Sequence, residues 1–285
     1  MATARNGTCE IYYETFGDPS HPALLMVNGL GSQCINFDAE WCAMFVAAGL
    51  YVLRFDNRDV GLSTSFDSTP IGEHGESYLV GDMARDAVAV LDAEGIKHAH
   101  VLGVSMGGMI VQTLAIEHPH RLRSVTSVMS TTGEPDFGHP TPEAFALLTA
   151  PPATDRESYI ANHIAGQREW GSPAFVDEER WRTFAGQAFD RAFTPSGTTR
   201  QFLAIRASGP RAEALRSVTV PMLVIHGDAD TLIDSSGGRR TAELVPGARF
   251  ELVDGMGHDY PPQRWQMLAD LVARFTHDVD SQATR

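Results

Sequence analysis

Apolar positions follow two alternating rhythms along the chain. Runs of strand length occur at residues 23–27, 50–55, 100–103, 124–129, 220–225 and 249–253, and 23–27 and 220–225 are apolar throughout. That is the pattern of strands buried on both faces of a parallel sheet. Between them, residues 37–48, 78–94, 109–117, 236–245 and 262–276 place apolar side chains at helical spacing. Glycine closes two of these helices, at Gly49 and Gly95. The first expected strand is residues 9–13, which alternate like a sheet edge, and the last few residues read as a frayed tail.

Strand and helix in regular alternation predict an α/β fold, a mostly parallel, doubly wound sheet with right-handed crossovers. In such sheets ligands sit beyond the carboxyl ends of the strands. Glycine-bearing loops fall at those ends: Asn28-Gly-Leu-Gly-Ser32, Asp56-Asn-Arg-Asp-Val-Gly-Leu-Ser63 and Val104-Ser-Met-Gly-Gly108. The rhythm breaks between residues 135 and 217. There, apolar residues keep helical spacing, prolines cut the stretch into short pieces, and aromatics concentrate from Phe137 to Phe202. We read this as a helical cap inserted over the strand ends. Residues 1–134 and 218–285 would then form the core.

Composition narrows the partners. Hydrophobic residues make up 43 % and charged residues 20 % of the 285 positions, ordinary for a globular chain that needs no disulfide or metal to build a core. The net charge of −14 argues against nucleic acid and against anionic membrane surfaces. Cys9, Cys34 and Cys42 have no C-x-x-C spacing and fit small buried residues in a reducing compartment. The N-terminal stretch lacks the apolar core of a secretory signal, and no apolar run reaches spanning length. A cytoplasmic protein without stable membrane insertion is expected, and a homo-oligomer is compatible with the sequence.

The chemistry concentrates in a few residues. Gly103-Val-Ser-Met-Gly107 fits G-x-S-x-G after a strand and before a helix. That context makes Ser105 the candidate nucleophile, because a serine on so sharp a turn needs neighbours without bulk. A serine hydroxyl also needs an adjacent base, and the base a carboxylate to orient it. His258 follows the last strand, flanked by Gly255 and Gly257, and is the candidate base. Asp230, in the loop after residues 220–225, can reach across to it. Asp228 is the alternative acid, or caps that turn. The oxyanion donors would be the backbone N–H groups of Met106 and Leu30. Gly29 and the cap aromatics Trp170, Trp181 and Phe184 are candidate substrate contacts. Asp56 to Asp59 are expected to fix the loop beneath the site, and His226 to support it from the core. No metal cluster and no phosphate or dinucleotide fingerprint is found, so no cofactor is implied.

With these residues in order, the chain resembles the α/β-hydrolase family from end to end. Asn28-Gly29 stands where the family's His-Gly usually opens the oxyanion loop. Asp56 to Ser63 is similar to its D-x-R-G-x-G-x-S segment. Within the family, Asn57-Arg-Asp59, Val218-Thr-Val-Pro221 and Gly255-Met-Gly-His258 resemble the aclacinomycin methylesterase group of small bacterial esterases. The resemblance implies a serine hydrolase acting on a small hydrophobic carboxylic ester, a methyl ester on a bulky ring system being one form. Hydrolysis of a C–C bond, lactone or thioester, or cofactor-free perhydrolysis, would use the same residues. A ligand receptor on the same scaffold is the reading from a different class.

Overall fold

The computed structural model describes residues 2–67 and 77–283. Its centre is an eight-stranded sheet in the order β1-β2-β4-β3-β5-β6-β7-β8. The strands are β1 (Ala2–Asn6), β2 (Cys9–Phe16), β3 (Ala23–Val27), β4 (Tyr51–Phe55), β5 (Ala99–Val104), β6 (Leu122–Val128), β7 (Met222–Gly227) and β8 (Arg249–Val253). β1 and β2 pair antiparallel at one edge, and β2 joins β4 antiparallel. All remaining pairs are parallel, as the alternating pattern predicts.

Residues of β3 show why the sheet is wound on both faces. All five are buried. Leu25 and Val27 point into one apolar layer with α2 (Val80–Ala93), α3 (Met106–Glu117) and α9 (Ser236–Leu244). Leu24 and Met26 point into the other, with α1 (Ala39–Ala47) and α10 (Pro262–Ala283). Side chains on a strand alternate between faces, so an uninterrupted apolar run serves both layers. Each such leucine contributes about 1.5–3 kcal/mol by leaving water.

Register places the site. Val27 pairs with Gly103, Val104 with Val128, and Gly227 with Val253. The strands therefore end level, and the loops at residues 28–32, 105, 129, 228–230 and 254–258 emerge side by side.

Between β6 and β7 lie α4 (Pro142–Leu148), α5 (Arg156–Trp170), α6 (Glu178–Arg191), α7 (Pro195–Ser208) and the short α8 (Ala212–Leu215). Thr141, Asp155 and Asp177 cap the first three with side-chain bonds to backbone N–H groups, each worth about 1 kcal/mol. α8 packs against α3 and α9.

Three differences from the sequence reading have a clear physical reason. β1 was not expected, since its residues are mostly exposed; hydrogen bonding to β2 holds it rather than burial. β7 begins after Pro221, which lacks a donor for the ladder, and extends through His226 and Gly227. α10 continues to Ala283, beyond the expected end at residue 276. Asp278 meets Arg249 at 3.2 Å and Asp280 meets Arg123 at 2.9 Å, fastening the extension to β8 and β6. Among the described residues no helix is long and apolar enough to cross a membrane.

Candidate active site

Strand β5 ends at Val104 and α3 starts at Met106, so Ser105 alone makes the connection. Its backbone adopts φ 56°, ψ −119°, a conformation that costs a non-glycine residue about 1–3 kcal/mol. The flanking glycines make the turn feasible. A Cβ on Gly103 would lie 2.1 Å from the carbonyl oxygen of Gly107, and one on Gly107 would lie 2.0 Å from that of Val27. The strained residue is held from both sides: its N–H donates to Val128 O at 2.9 Å, and its carbonyl accepts from Ser130 Oγ at 2.8 Å.

The structure brings the three sequence candidates into one line. His258 Nε2 is 2.9 Å from Ser105 Oγ, and its Nδ1 is 2.7 Å from Asp230 Oδ2. Asp230 Oδ1 accepts the N–H groups of Leu232 at 2.9 Å and Ile233 at 2.8 Å. Burial alone would push this carboxyl up. The facing His258 and His226 outweigh it and hold the carboxyl down at about 2. An ionised, fixed carboxylate selects the tautomer with hydrogen on Nδ1, leaving Nε2 to accept from Ser105.

Asp228 lies elsewhere. Its Oδ1 accepts the Gly255 N–H at 2.7 Å, tying the acid's turn to the histidine's loop. His226 is fully buried; its Nε2 lies 2.7 Å from Ile233 O and 3.3 Å from Asp230 Oδ2. It supports the carboxylate from behind, the position that its place at the strand end suggests.

The histidine loop is clamped. A Cβ on Gly257 would lie 2.4 Å from Trp170 O. The His258 N–H donates to that same oxygen, and the Gly257 N–H donates to Ser172 Oγ at 3.0 Å. Asp259 accepts in turn from the Ser172 N–H at 3.0 Å and from its hydroxyl at 2.5 Å.

Met106 opens α3, where N–H groups have no partner within the helix and the dipole adds positive potential. Leu30 lies in the facing loop, close enough that a Cβ on Gly29 would sit 3.2 Å from Ser105 Cβ. That loop is fixed at several points. Asn28, in the place of the family's usual histidine, is buried and donates to Gln33 O at 2.9 Å. Its own carbonyl accepts from Asn57 Nδ2 at 3.0 Å. The Gly31 N–H donates to Gln201 Oε1 at 2.8 Å, while Gln201 Nε2 donates to Arg58 O at 2.8 Å.

Gln201 belongs to α7, and it is one of several ties that the sequence did not reveal. Asp56 accepts the N–H groups of Cys34 at 2.6 Å and Leu62 at 2.8 Å, as a loop-fixing residue should. It also meets Arg191 of α6 at 2.8 Å. Asp59, at φ 72°, takes both arms of Arg200 of α7 at 2.8 Å. These partners stand far apart in sequence, and no local pattern marks them.

A cavity of about 520 Å³ opens above Ser105 and His258. Gly29, Leu30 and Met106 line it on the sheet side, and Trp170, Trp181 and Phe184 on the helical side. The cavity and the Ser105–His258–Asp230 line thus bring together the candidate catalytic, oxyanion and substrate-contact residues, with Asp228 outside them.

A family model described as "alpha/beta hydrolase fold" matches residues 22–260. The chain is 28 % identical to rhodomycin D methylesterase DauP of Streptomyces sp. (strain C5), over 93 % of this chain and 94 % of that protein. It is also 28 % identical to rhodomycin D methylesterase DnrP of Streptomyces peucetius, over 95 % and 96 %. The solved 2-hydroxy-6-oxo-6-phenylhexa-2,4-dienoate hydrolase of Rhodococcus sp. strain RHA1 superposes with a TM-score of 0.81 at 18 % identity, covering 96 % of this chain and 97 % of that one. That last likeness bears on the fold alone.

Proposed function

The chain belongs to the alpha/beta hydrolase fold family, and we propose that it is a serine hydrolase cleaving a carboxylic ester through an acyl-enzyme on Ser105. One observation carries the reading: Ser105 Oγ lies 2.9 Å from an imidazole that a buried carboxylate orients from 2.7 Å. The two methylesterase relatives favour an ester as the bond, a methyl ester among them.

In this reading Ser105 Oγ attacks the ester carbonyl while His258 Nε2 takes its proton. The oxyanion forms against the N–H groups of Leu30 and Met106, each such donor supplying about 10²–10³ in rate. The intermediate collapses as His258 returns the proton to the leaving alcohol. Water then repeats the sequence, with His258 as base, and releases the acid. Asp230 holds the imidazole and balances its charge while it carries the extra proton. Residues 135–217 act as a cap over a core of residues 1–134 and 218–285, and Gly29, Trp170, Trp181 and Phe184 contact the substrate. A cavity of about 520 Å³ falls in the range of roughly 300–1,000 Å³ that suits a drug-sized ligand, so the substrate is a hydrophobic ester with a bulky portion.

The test is turnover of p-nitrophenyl esters and of methyl esters of aromatic polycycles, with Ser105→Ala as control. Wild-type release of acid and alcohol, abolished in the variant, is expected. Equal rates in both proteins would end the reading. Cleavage confined to lactones, thioesters or vinylogous diketones would move the function to that bond.

A further inference from the structure

The base and its acid stand on loops that leave different strands. His258 follows β8, and Asp230 follows β7. The base loop, Asp254-Gly-Met-Gly-His258, carries two glycines, and Gly255 adopts φ 66°. Glycine restrains a chain less than any other residue. The 2.9 and 2.7 Å spacings of His258 therefore need ties from outside the loop. Asp228 supplies one at Gly255, on the sheet side. The others come from the end of α5.

An α-helix leaves its last carbonyls without partners inside the helix. In α5 the carbonyl of Glu169 accepts from Thr231 Oγ1 at 2.8 Å, and that of Trp170 accepts from the His258 N–H. Thr231 adjoins Asp230, so one helix end holds the acid's loop and the base's loop at once. Ser172 adds a third tie. Its hydroxyl has one proton to give and lone pairs to accept with. The proton goes to Asp259 Oδ1 at 2.5 Å, and the oxygen receives the Gly257 N–H at 3.0 Å. The contact is close. A Cβ on Gly257 would lie 2.4 Å from Gly171 C, and one on Gly171 would lie 2.4 Å from Gln167 O.

We propose that Glu169 to Ser172 form a positioning strap for the reaction, with Ser172 as its principal residue, which sets where His258 stands between Ser105 and Asp230.

Ser172 acts through Gly257 and the main chain. It is 2 % exposed and lies outside the cavity lining, so a substrate does not reach it. Trp170 does line the cavity. That residue thus meets the cavity and holds the base, and filling the cavity is felt at His258. The proposal rests on Ser105, His258 and Asp230 being the reacting line of the hydrolase.

Two readouts test it. The first is the low-field proton resonance of the His258 Nδ1–H, recorded without substrate and assigned by its loss in His258→Gln. Wild type should show it as a sharp line. In Ser172→Ala the line should shift or broaden through exchange with water. Thr231→Val, at the other end of the strap, should do the same to a smaller degree, and it decides alone should Ser172→Ala not fold. The second is turnover of p-nitrophenyl acetate, where Ser172→Ala should lower kcat about tenfold with KM little changed. A misplacement of about 1 Å can cost about 10²-fold, and losing one tie of several moves the base less than that. A resonance unchanged in the variants overturns the strap, whatever happens to stability. So does a wild type with no such resonance. A raised KM at constant kcat would make Ser172 a substrate contact and overturn it too. The resonance needs no turnover. A protein that hydrolyses no ester yet loses the line in Ser172→Ala would overturn the proposed function and support the strap.

Discussion

The two walls of the cavity are built on opposite plans. On the sheet side, Ser105, His258 and Asp230 are joined at 2.9 and 2.7 Å, and Asp230 has further partners behind it. On the helical side, Tyr159, His163 and Gln167 face the cavity with no hydrogen-bond partner among the described residues. The difference separates two jobs. A reactive line must be in place before the substrate arrives, because stabilisation of a transition state comes from groups already oriented. A wall that only has to contact a ligand needs no such prior order, because its half-exposed polar groups can pair with water until a ligand replaces it.

The largest effect should follow from spoiling the prebuilt wall. Asp230→Asn keeps the shape of the carboxylate but removes its charge and its hold on the tautomer, so kcat should fall about 10⁴-fold. Asp228→Asn should cost far less, since its carboxylate meets Gly255 and not His258. Paired kcat measurements decide between them. A larger loss in Asp228→Asn would assign the acid to that residue and break the line as described.

The joint between the walls comes next. Arg200 and Asp59 are both buried, and their bidentate bond pins α7 to the loop beneath the site. Arg200→Met leaves Asp59 without its main counter-charge and should destabilise the fold by about 3–5 kcal/mol, read as a lowered urea midpoint. A stability within about 0.5 kcal/mol of wild type would show that this pair does not hold α7 to the core.

A smaller and more local effect is expected at Gln201. It binds the Gly31 N–H and Arg58 O at once, so the loop carrying Leu30 depends on the seating of α7. Gln201→Leu should lower kcat about tenfold, less than the loss of an oxyanion donor itself, with KM little changed. A rise in KM at constant kcat would place Gln201 in substrate binding instead.

Those joints are the part that could not be read in advance. Residues 23–27 announce a strand because both faces are buried and every position is apolar. The G-x-S-x-G turn announces itself because Gly103 and Gly107 have backbone atoms where a Cβ would be. His258 and Asp230 follow from their places after β8 and β7. β1 was missed because its stability comes from pairing with β2 rather than from its own side chains. The bonds of Asp56 to Arg191 and Asp59 to Arg200 were missed because ion pairs formed across the fold have no spacing rule. Four-residue spacing of Tyr159, His163 and Gln167 describes a helix face, but only the fold says that this face meets a cavity.

The central claim is that Ser105 is the nucleophile of the prebuilt wall. Its most direct test is a fluorophosphonate probe followed by peptide mass mapping. The account predicts a single adduct on the peptide carrying Ser105, formed at a rate that collapses in His258→Ala. An adduct on another serine, or full ester turnover after Ser105 is blocked, would contradict it.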